Sequence, residues 1–328
     1  MARAPADQFL KQAPHVSESD RAIIRLLQED GRRPFVQIAR ETGLAEKTVR
    51  NRVRNLLDDD IIQIAAVTNP QALGYLASAL LGITTDPAVP ASDIALSLLE
   101  IESVDYVVVA TGRYGIFAEL ICRDRETLQA VIENEIGRVP GIAGIESYPY
   151  LQIHYQLARF HAAQSKTTSE LGVRPRALTD TDRAIIQALS IDGRTPLQTI
   201  ADDLSISESQ VRNRVGDMVD AGVMNVMAIV NPMSVEYGTV AWVAIKVGEG
   251  QQVSLVASAL ADLSRITYVA ICAGRFDIFA EVMCTSEEEL LAVMDEDIRM
   301  MAGVHRAEAS IYQHLHYKRL TPIRDEKG

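Results

Sequence analysis

Residues 17–24 read SESDRAII and residues 179–186 read TDTDRAII; residues 49–53 read VRNRV and residues 211–215 read VRNRV again. Both pairs are separated by 162 positions. The same separation relates Asn69-Pro70 to Asn231-Pro232, Gly112-Arg113 to Gly274-Arg275, the IFAE of Ile116–Glu119 to that of Ile278–Glu281, and His154-Tyr155 to His316-Tyr317. The halves therefore align without a gap. About a third of the aligned positions are identical, where chance gives about 6%. A period this long makes the repeat a duplicated domain-sized unit, not a short solenoid repeat.

The duplication sets the expected domain plan. The first unit runs from Ser17 to Tyr155 and the second from Thr179 to Tyr317. Residues 1–16 and 318–328 are read as loosely held tails. Residues 158–178, whose QSKTTSELGVRPRAL stretch is polar with Gly, Pro and Ser, are read as a linker. Each unit splits in two: 17–67 and 179–229 as helical domains, 68–157 and 230–317 as mixed α+β domains.

In the first part of unit one, Ser19-Asp20 is expected to cap a helix carrying Ile23, Ile24, Leu26 and Leu27, which ends at Asp30-Gly31. A second short helix follows Pro34 and stops at Gly43. A third begins near Ala45-Glu46 and runs to Leu57, with Val49, Val53, Leu56 and Leu57 on one face. Two short helices joined by a tight glycine turn form a helix-turn-helix pattern. Unit two repeats it with Ser205 where unit one has Gly43, a residue that takes such a turn less readily.

The third helix carries Lys47, Thr48, Arg50, Asn51, Arg54 and Asn55 on its polar face, with Arg52 at the edge. Arg and Lys bind phosphates or guanine edges, and Asn can read adenine. An isolated helix of this composition is most often a solvated face. Third place in a helix-turn-helix, and repetition in unit two as Gln210, Arg212, Asn213 and Arg214, point instead to double-stranded DNA. Net charge is −12, which excludes a generally basic coat but not one basic docking face. Residues 17–67 hold 9 basic and 9 acidic side chains, residues 179–229 only 4 and 8. Lys47 becomes Ser209, Arg54 becomes Gly216 and Asn55 becomes Asp217, so the first reader is expected to supply more DNA affinity.

Beyond Asn69-Pro70, strand-like stretches at 76–85, 104–111, 116–122 and 142–155 alternate with helical stretches at 91–100 and 125–136. The order βαββαβ is ferredoxin-like. Helices then cover one sheet face, and the second copy is available to cover the other. The expected fold class is α+β: two winged-helix-type helix-turn-helix domains alternating with two ferredoxin-like domains.

With 48% hydrophobic and 23% charged residues, the chain has the composition of a globular protein. No apolar run approaches the roughly 20 residues of a membrane span, and Met1–Pro14 has no signal-peptide core. A cytoplasmic protein with no membrane partner is expected. Cys122, Cys272 and Cys284 lack CxxC spacing and sit in apolar stretches, as reduced core residues would. The repeated His154 and His316, with His314 and His161 nearby, are expected to be structural, and no metal site is assigned. No P-loop, GxSxG or HExxH occurs, and Val247–Gly250 is too short for a nucleotide fingerprint.

Taken together, residues 20–34 (DRAIIRLLQEDGRRP), residues 48–53 (TVRNRV), the Asn69-Pro70 hinge and the Gly112 turn, with their second copies, resemble the Lrp/AsnC (leucine-responsive/asparagine regulator) family. The resemblance covers about 85% of the chain. It implies a transcription regulator, not an enzyme, without a resident cofactor. It also implies α+β domains of RAM type that pair and take a small-molecule effector, often an amino acid, near the glycine turn. The family normally carries one unit per chain; a tandem chain could build the pair within one polypeptide or pair with a second copy of itself. Carried over by position, the effector residues are Gly112, Arg113 and Tyr114 in unit one and Gly274, Arg275, Phe276 and Asp277 in unit two. The family's acid is kept as Asp277 but replaced by Gly115, so the Asp277 site is expected to be the competent one. The rival class is an enzyme resembling siroheme decarboxylases, which can also be fused pairs. A substrate bearing many carboxylates calls for a basic, His-containing pocket in the α+β half, and no concentrated basic cluster is found there.

Overall fold

The computed structural model describes residues 16–68, 70, 73–156, 178–230 and 238–317. Asn69, the Asn231-Pro232 pair, His161, residues 1–15 and 318–328 and most of the linker lie outside the described residues, whereas Val16, read as the end of a loose tail, is buried in the helical core. Unit one comprises α1 (Glu18–Glu29), α2 (Phe35–Thr42), α3 (Glu46–Asp58), β1 (Ile62–Thr68), β2 (Ala77–Thr85), α4 (Ala91–Leu99), β3 (Val104–Ala110), β4 (Ile116–Cys122), α5 (Arg125–Asn134) and β5 (Ile142–Gln156). Unit two repeats this as α6 (Asp180–Ile191), α7 (Leu197–Leu204), α8 (Glu208–Asp220), β6 (Met224–Val230), β7 (Thr239–Val247), α9 (Val253–Ala261), β8 (Ile266–Cys272), β9 (Ile278–Cys284), α10 (Glu287–Ala292) and β10 (Val304–Tyr317). The α+β class and the βαββαβ order stand as expected.

The first helix starts two residues earlier than its sequence suggests. Ser17, not Ser19-Asp20, is the N-cap of α1, and Asp20 closes a capping box with it; Thr179 and Asp182 do the same for α6. The turn after α2 places Gly43 at φ 71°, and the equivalent Ser205 takes φ 54°. Serine therefore adopts the left-handed turn despite its Cβ.

The two helix-turn-helix units are not separate globules. Ile23, Leu27, Ile38 and Val49 share one apolar core with Ile185, Leu189, Ile200 and Val211. β1 and β6 hold them together as an antiparallel ribbon in which Ala65 faces Met227. The edges of the ribbon are locked reciprocally. Gly31 N–H donates to Val226 O and Gly193 N–H to Ile64 O, each at 2.8 Å. Arg32 donates to the carbonyls of Gly193 and Thr195, and Arg194 to those of Gly31 and Arg33. A Cβ on Gly31 would come within 2.9 Å of the Met227 backbone, and one on Gly193 within 3.0 Å of Ala65. Glycine is thus required here by close approach of two backbones.

The α+β halves combine into one closed eight-stranded barrel, ordered β10-β3-β4-β2-β5-β8-β9-β7. Each unit contributes four strands in ferredoxin order. The seams between units are β5 against β8 and β10 against β3, both antiparallel. The pair of α+β domains is therefore complete within one chain. Helices α4 and α5 pack outside unit one's sheet and α9 and α10 outside unit two's. The interior is filled from both units by Leu80, Tyr114, Phe117 and Tyr148 with Trp242, Phe276 and Phe279. Burial of both sheet faces explains why β2 reads as an almost continuous apolar run instead of alternating.

Gly193→Ala is expected to destabilise the chain by about 1–3 kcal/mol through overpacking at the ribbon. Gly216→Ala, on α8 where an added Cβ meets nothing within 4 Å, is expected to stabilise it by about 1 kcal/mol. Urea unfolding of the two variants checks the opposite signs.

Candidate DNA interface and sensor turns

Helix geometry sorts the predicted reader residues. On α3, Lys47, Arg50, Asn51 and Arg54 recur at i, i+3, i+4 and i+7, so they form one stripe, and all four are exposed. Thr48 is half-buried beside the stripe. On α8 the same stripe reads Ser209, Arg212, Asn213 and Gly216, with Gln210 exposed next to it. Arg50 pairs with Glu46 one turn back at 2.8 Å, and Arg212 pairs likewise with Glu208. The Arg50 guanidinium also lies 5.1 Å from the centre of the Phe35 ring, against which Arg194 of the other unit packs at 4.2 Å.

Arg52 and Arg214 are placed differently. Arg52 donates to Asp20 at 2.8 Å and to Ser17 at 3.0 Å; Arg214 donates to Asp182 at 2.8 Å and to Thr179 at 3.2 Å. Each ties the reader helix to the capping box of the first helix of its unit. Burial by itself would raise the pKa of the Asp182 carboxyl. Hydrogen bonds from Thr179 and Arg214 and the arginine's charge outweigh it and hold the group below its ordinary value. Asp20 is shifted the same way for the same reasons.

The two turns predicted to sense a ligand sit where the units meet. Gly112 and Gly274 have φ of 101° and 139°, which favours glycine at both. Each turn is pinned to the opposite unit: Thr111 N–H donates to Ile311 O and Ala273 N–H to Pro149 O. Arg113 pairs with Glu308 at 3.1 Å, and its counterpart Arg275 pairs with Glu146 at 3.0 Å. The Tyr114 and Phe276 rings are buried in the barrel, so the two arginines and the backbone form the outward face of the turns.

The turns differ at their acid position. Asp277 accepts from Lys246 Nζ at 2.9 Å and from Val247 N–H at 2.8 Å. At Gly115 the corresponding space is taken by Thr85, whose Oγ1 lies 2.8 Å from where a Cβ would stand. The partners differ too. Tyr148, under Gly274, bonds the Tyr114 hydroxyl at 2.5 Å and donates to Glu146 at 2.9 Å. Ser310 occupies the equivalent place under Gly112. Burial opposes the charge on Glu146, but hydrogen bonds from Arg275, Tyr114 and Tyr148 keep its pKa below the ordinary value. Burial first, and then Glu146, push Tyr114 up to about 12.

Cys122, Cys272 and Cys284 are buried and free. His314 and His316 lie on β10, where burial and then the neighbouring His314 lower the pKa of His316. The side chain of His154 lies outside the described residues. No helix among the described residues is long and apolar enough to cross a membrane.

AsnC-type helix-turn-helix domains followed by a ligand-binding domain place the chain in the class of helix-turn-helix transcriptional regulators. The AsnC-type helix-turn-helix domain model matches residues 17–57 and 178–219. The Lrp/AsnC ligand binding domain matches 78–159, and a C-terminal dimeric alpha+beta barrel domain matches 239–320. The chain belongs to the Lrp/AsnC family. It is 35% identical over 133 residues to an uncharacterized HTH-type transcriptional regulator of Pyrococcus abyssi, covering 40% of this chain and 84% of the relative. It is 34% identical over 131 residues to the HTH-type transcriptional regulator LrpA of Pyrococcus horikoshii, covering 40% and 92%. Over nearly full length, 93% of this chain and 94% of the other, its fold is similar to that of the siroheme decarboxylase NirDL, with a TM-score of 0.64 at 18% identity.

Because the folded pKa of Asp182 is depressed, its stabilising contribution is complete above the ordinary value of 3.8 and is lost as pH falls through the lower folded value. Asp182→Asn is expected to cost about 1–3 kcal/mol at pH 7 and to reduce the stability lost below about pH 4. Denaturant unfolding at pH 7 and pH 3 measures both.

Proposed function

We propose that the chain binds double-stranded DNA through Lys47, Thr48, Arg50, Asn51 and Arg54 of α3 and Gln210, Arg212 and Asn213 of α8. Arg52 and Arg214 act as positioning residues that fix the pitch of each reader helix. The observation that carries this reading is the exposed polar stripe on each third helix, held in a pseudo-two-fold pair by the β1–β6 ribbon. Helix-turn-helix pairs lay such helices into successive major grooves. The protein is proposed to work in the cytoplasm, where its operator is.

The barrel is proposed to take a small-molecule effector, an amino acid, at the turns Gly112–Gly115 and Gly274–Asp277. A carboxylate suits a ligand ammonium, and Arg113, Arg275 and backbone N–H groups suit a ligand carboxylate. In unit two the ammonium would take the place of Lys246 Nζ on Asp277. The fold likeness to NirDL raises a second reading, a decarboxylase acting on a tetrapyrrole. Against it, aromatic side chains fill the barrel interior. An absorption spectrum of the chain titrated with iron-uroporphyrin III distinguishes the two; a haem-like bound spectrum favours the enzyme.

Footprinting on DNA upstream of the chain's own gene is expected to show protection that Arg50→Ala weakens by about tenfold. Isothermal titration with each of the common amino acids is expected to find a ligand whose affinity Asp277→Ala lowers at least tenfold; undiminished binding by the variant overturns the assignment of Asp277.

A further inference from the structure

We infer that the chain reads a non-palindromic duplex site in one orientation, with α3 on the half-site that carries most of the sequence information and α8 over a half-site it holds weakly. The inference rests on the DNA-binding reading above and specifies its substrate.

A homodimer presents the same face twice and so matches a palindrome. Here the two faces are related by the same pseudo-symmetry but differ in charge balance, the second carrying fewer cations and more carboxylates. Arg40, Lys47 and Arg54 of unit one correspond to Asp202, Ser209 and Gly216 of unit two, and Asn55 corresponds to Asp217; all eight are exposed. The α2–α3 surface thus presents Arg40, Lys47, Arg50 and Arg54 beside Glu41 and Glu46, whereas α7–α8 presents Arg212 beside Asp202, Asp203, Glu208 and Asp217. Phosphate binding scales with the cations brought to the backbone. The carboxylates of unit two would face the same phosphates with the wrong sign.

The readers cannot adjust independently to even out this difference. The ribbon and the exchanged hydrogen bonds of Arg32 and Arg194 fix them in one body. The arginine stack on Phe35 is likewise specific to unit one, since Leu197 stands at its counterpart. Rigid coupling turns a difference in affinity into a polarity: rotating the chain by 180° on the same site would put the acidic face on the informative half.

The test is selection of duplexes from a library with a 30-base-pair random window, using the full chain and the variant Ser209→Lys/Gly216→Arg/Asp217→Asn. An added Cβ at Gly216 meets nothing within 4 Å, so the arginine fits, and circular dichroism verifies the fold. The wild-type chain is expected to enrich a motif with one informative half. The variant is expected to enrich a motif with two informative halves and to steepen the salt dependence by about 2 in log–log slope. Arg50→Ala is expected to weaken binding to the selected site about tenfold and Arg212→Ala less than threefold. A wild-type motif with two equal halves, or equal losses from the two alanine variants, overturns the polarity while leaving DNA binding intact. No enrichment by either protein overturns the DNA-binding reading and the polarity together.

Discussion

A four-stranded ferredoxin-like sheet has two unpaired edges and one uncovered apolar face, and in this chain the second unit satisfies all three. β8 and β10 close the edges at β5 and β3, and the two inner faces interdigitate as one aromatic core. Neither half-barrel could be left open without exposing a row of backbone donors and acceptors. The rest follows from that closure. It fixes the pseudo-two-fold axis and sets the glycine turns against the opposite unit. Polar side chains inside the barrel hold the same symmetry: the Tyr106 hydroxyl lies 3.2 Å from a Glu281 carboxylate oxygen and that of its counterpart Tyr268 3.1 Å from Glu119, each tyrosine meeting a carboxylate of the other unit.

Much of this was legible from residue pattern. Ile116–Cys122 is a strand because its apolar run ends at a glycine turn on one side and a charged segment on the other. α2 ends at Gly43 because the chain must turn left-handed there. Three features escaped local reading. β1 and β6 owe their pairing to each other across the ribbon, and a short apolar run such as Ile61–Val67 gives no periodicity that separates strand from helix. Arg52 looks like a DNA contact on a helical wheel, yet Asp20, 32 positions earlier, draws it inward. The recurrence of that pair as Asp182 and Arg214 was the available signal. The aromatic residues of the sensor turns, Tyr114 and Phe276, expected among the effector residues, are buried in the barrel because the opposite sheet covers them.

The duplicated halves have separated in chemistry where symmetry is least costly to break. Some core positions that meet across the axis keep their residue, as Phe117 and Phe279 do, whereas others change size, as Leu80 and its counterpart Trp242 do. Divergence collects at the surface of the reader helices and under the turns, where Tyr148 faces Ser310 across the pseudo-symmetry and Asp277 faces Gly115. A duplicated gene product can specialise in this way because each half is encoded separately, which two copies of one shorter chain cannot do.

Joining β5 to β8 and β10 to β3 within one polypeptide also changes how the molecule responds to its own abundance. A regulator assembled from two chains loses paired readers on dilution, and its occupancy then rises with a higher power of concentration. In this chain the second reader travels with the first, so pairing of the two readers does not depend on concentration. The closed sheet leaves no strand edge for a single-unit relative to join, so the two halves keep their pairing in the presence of others of their kind.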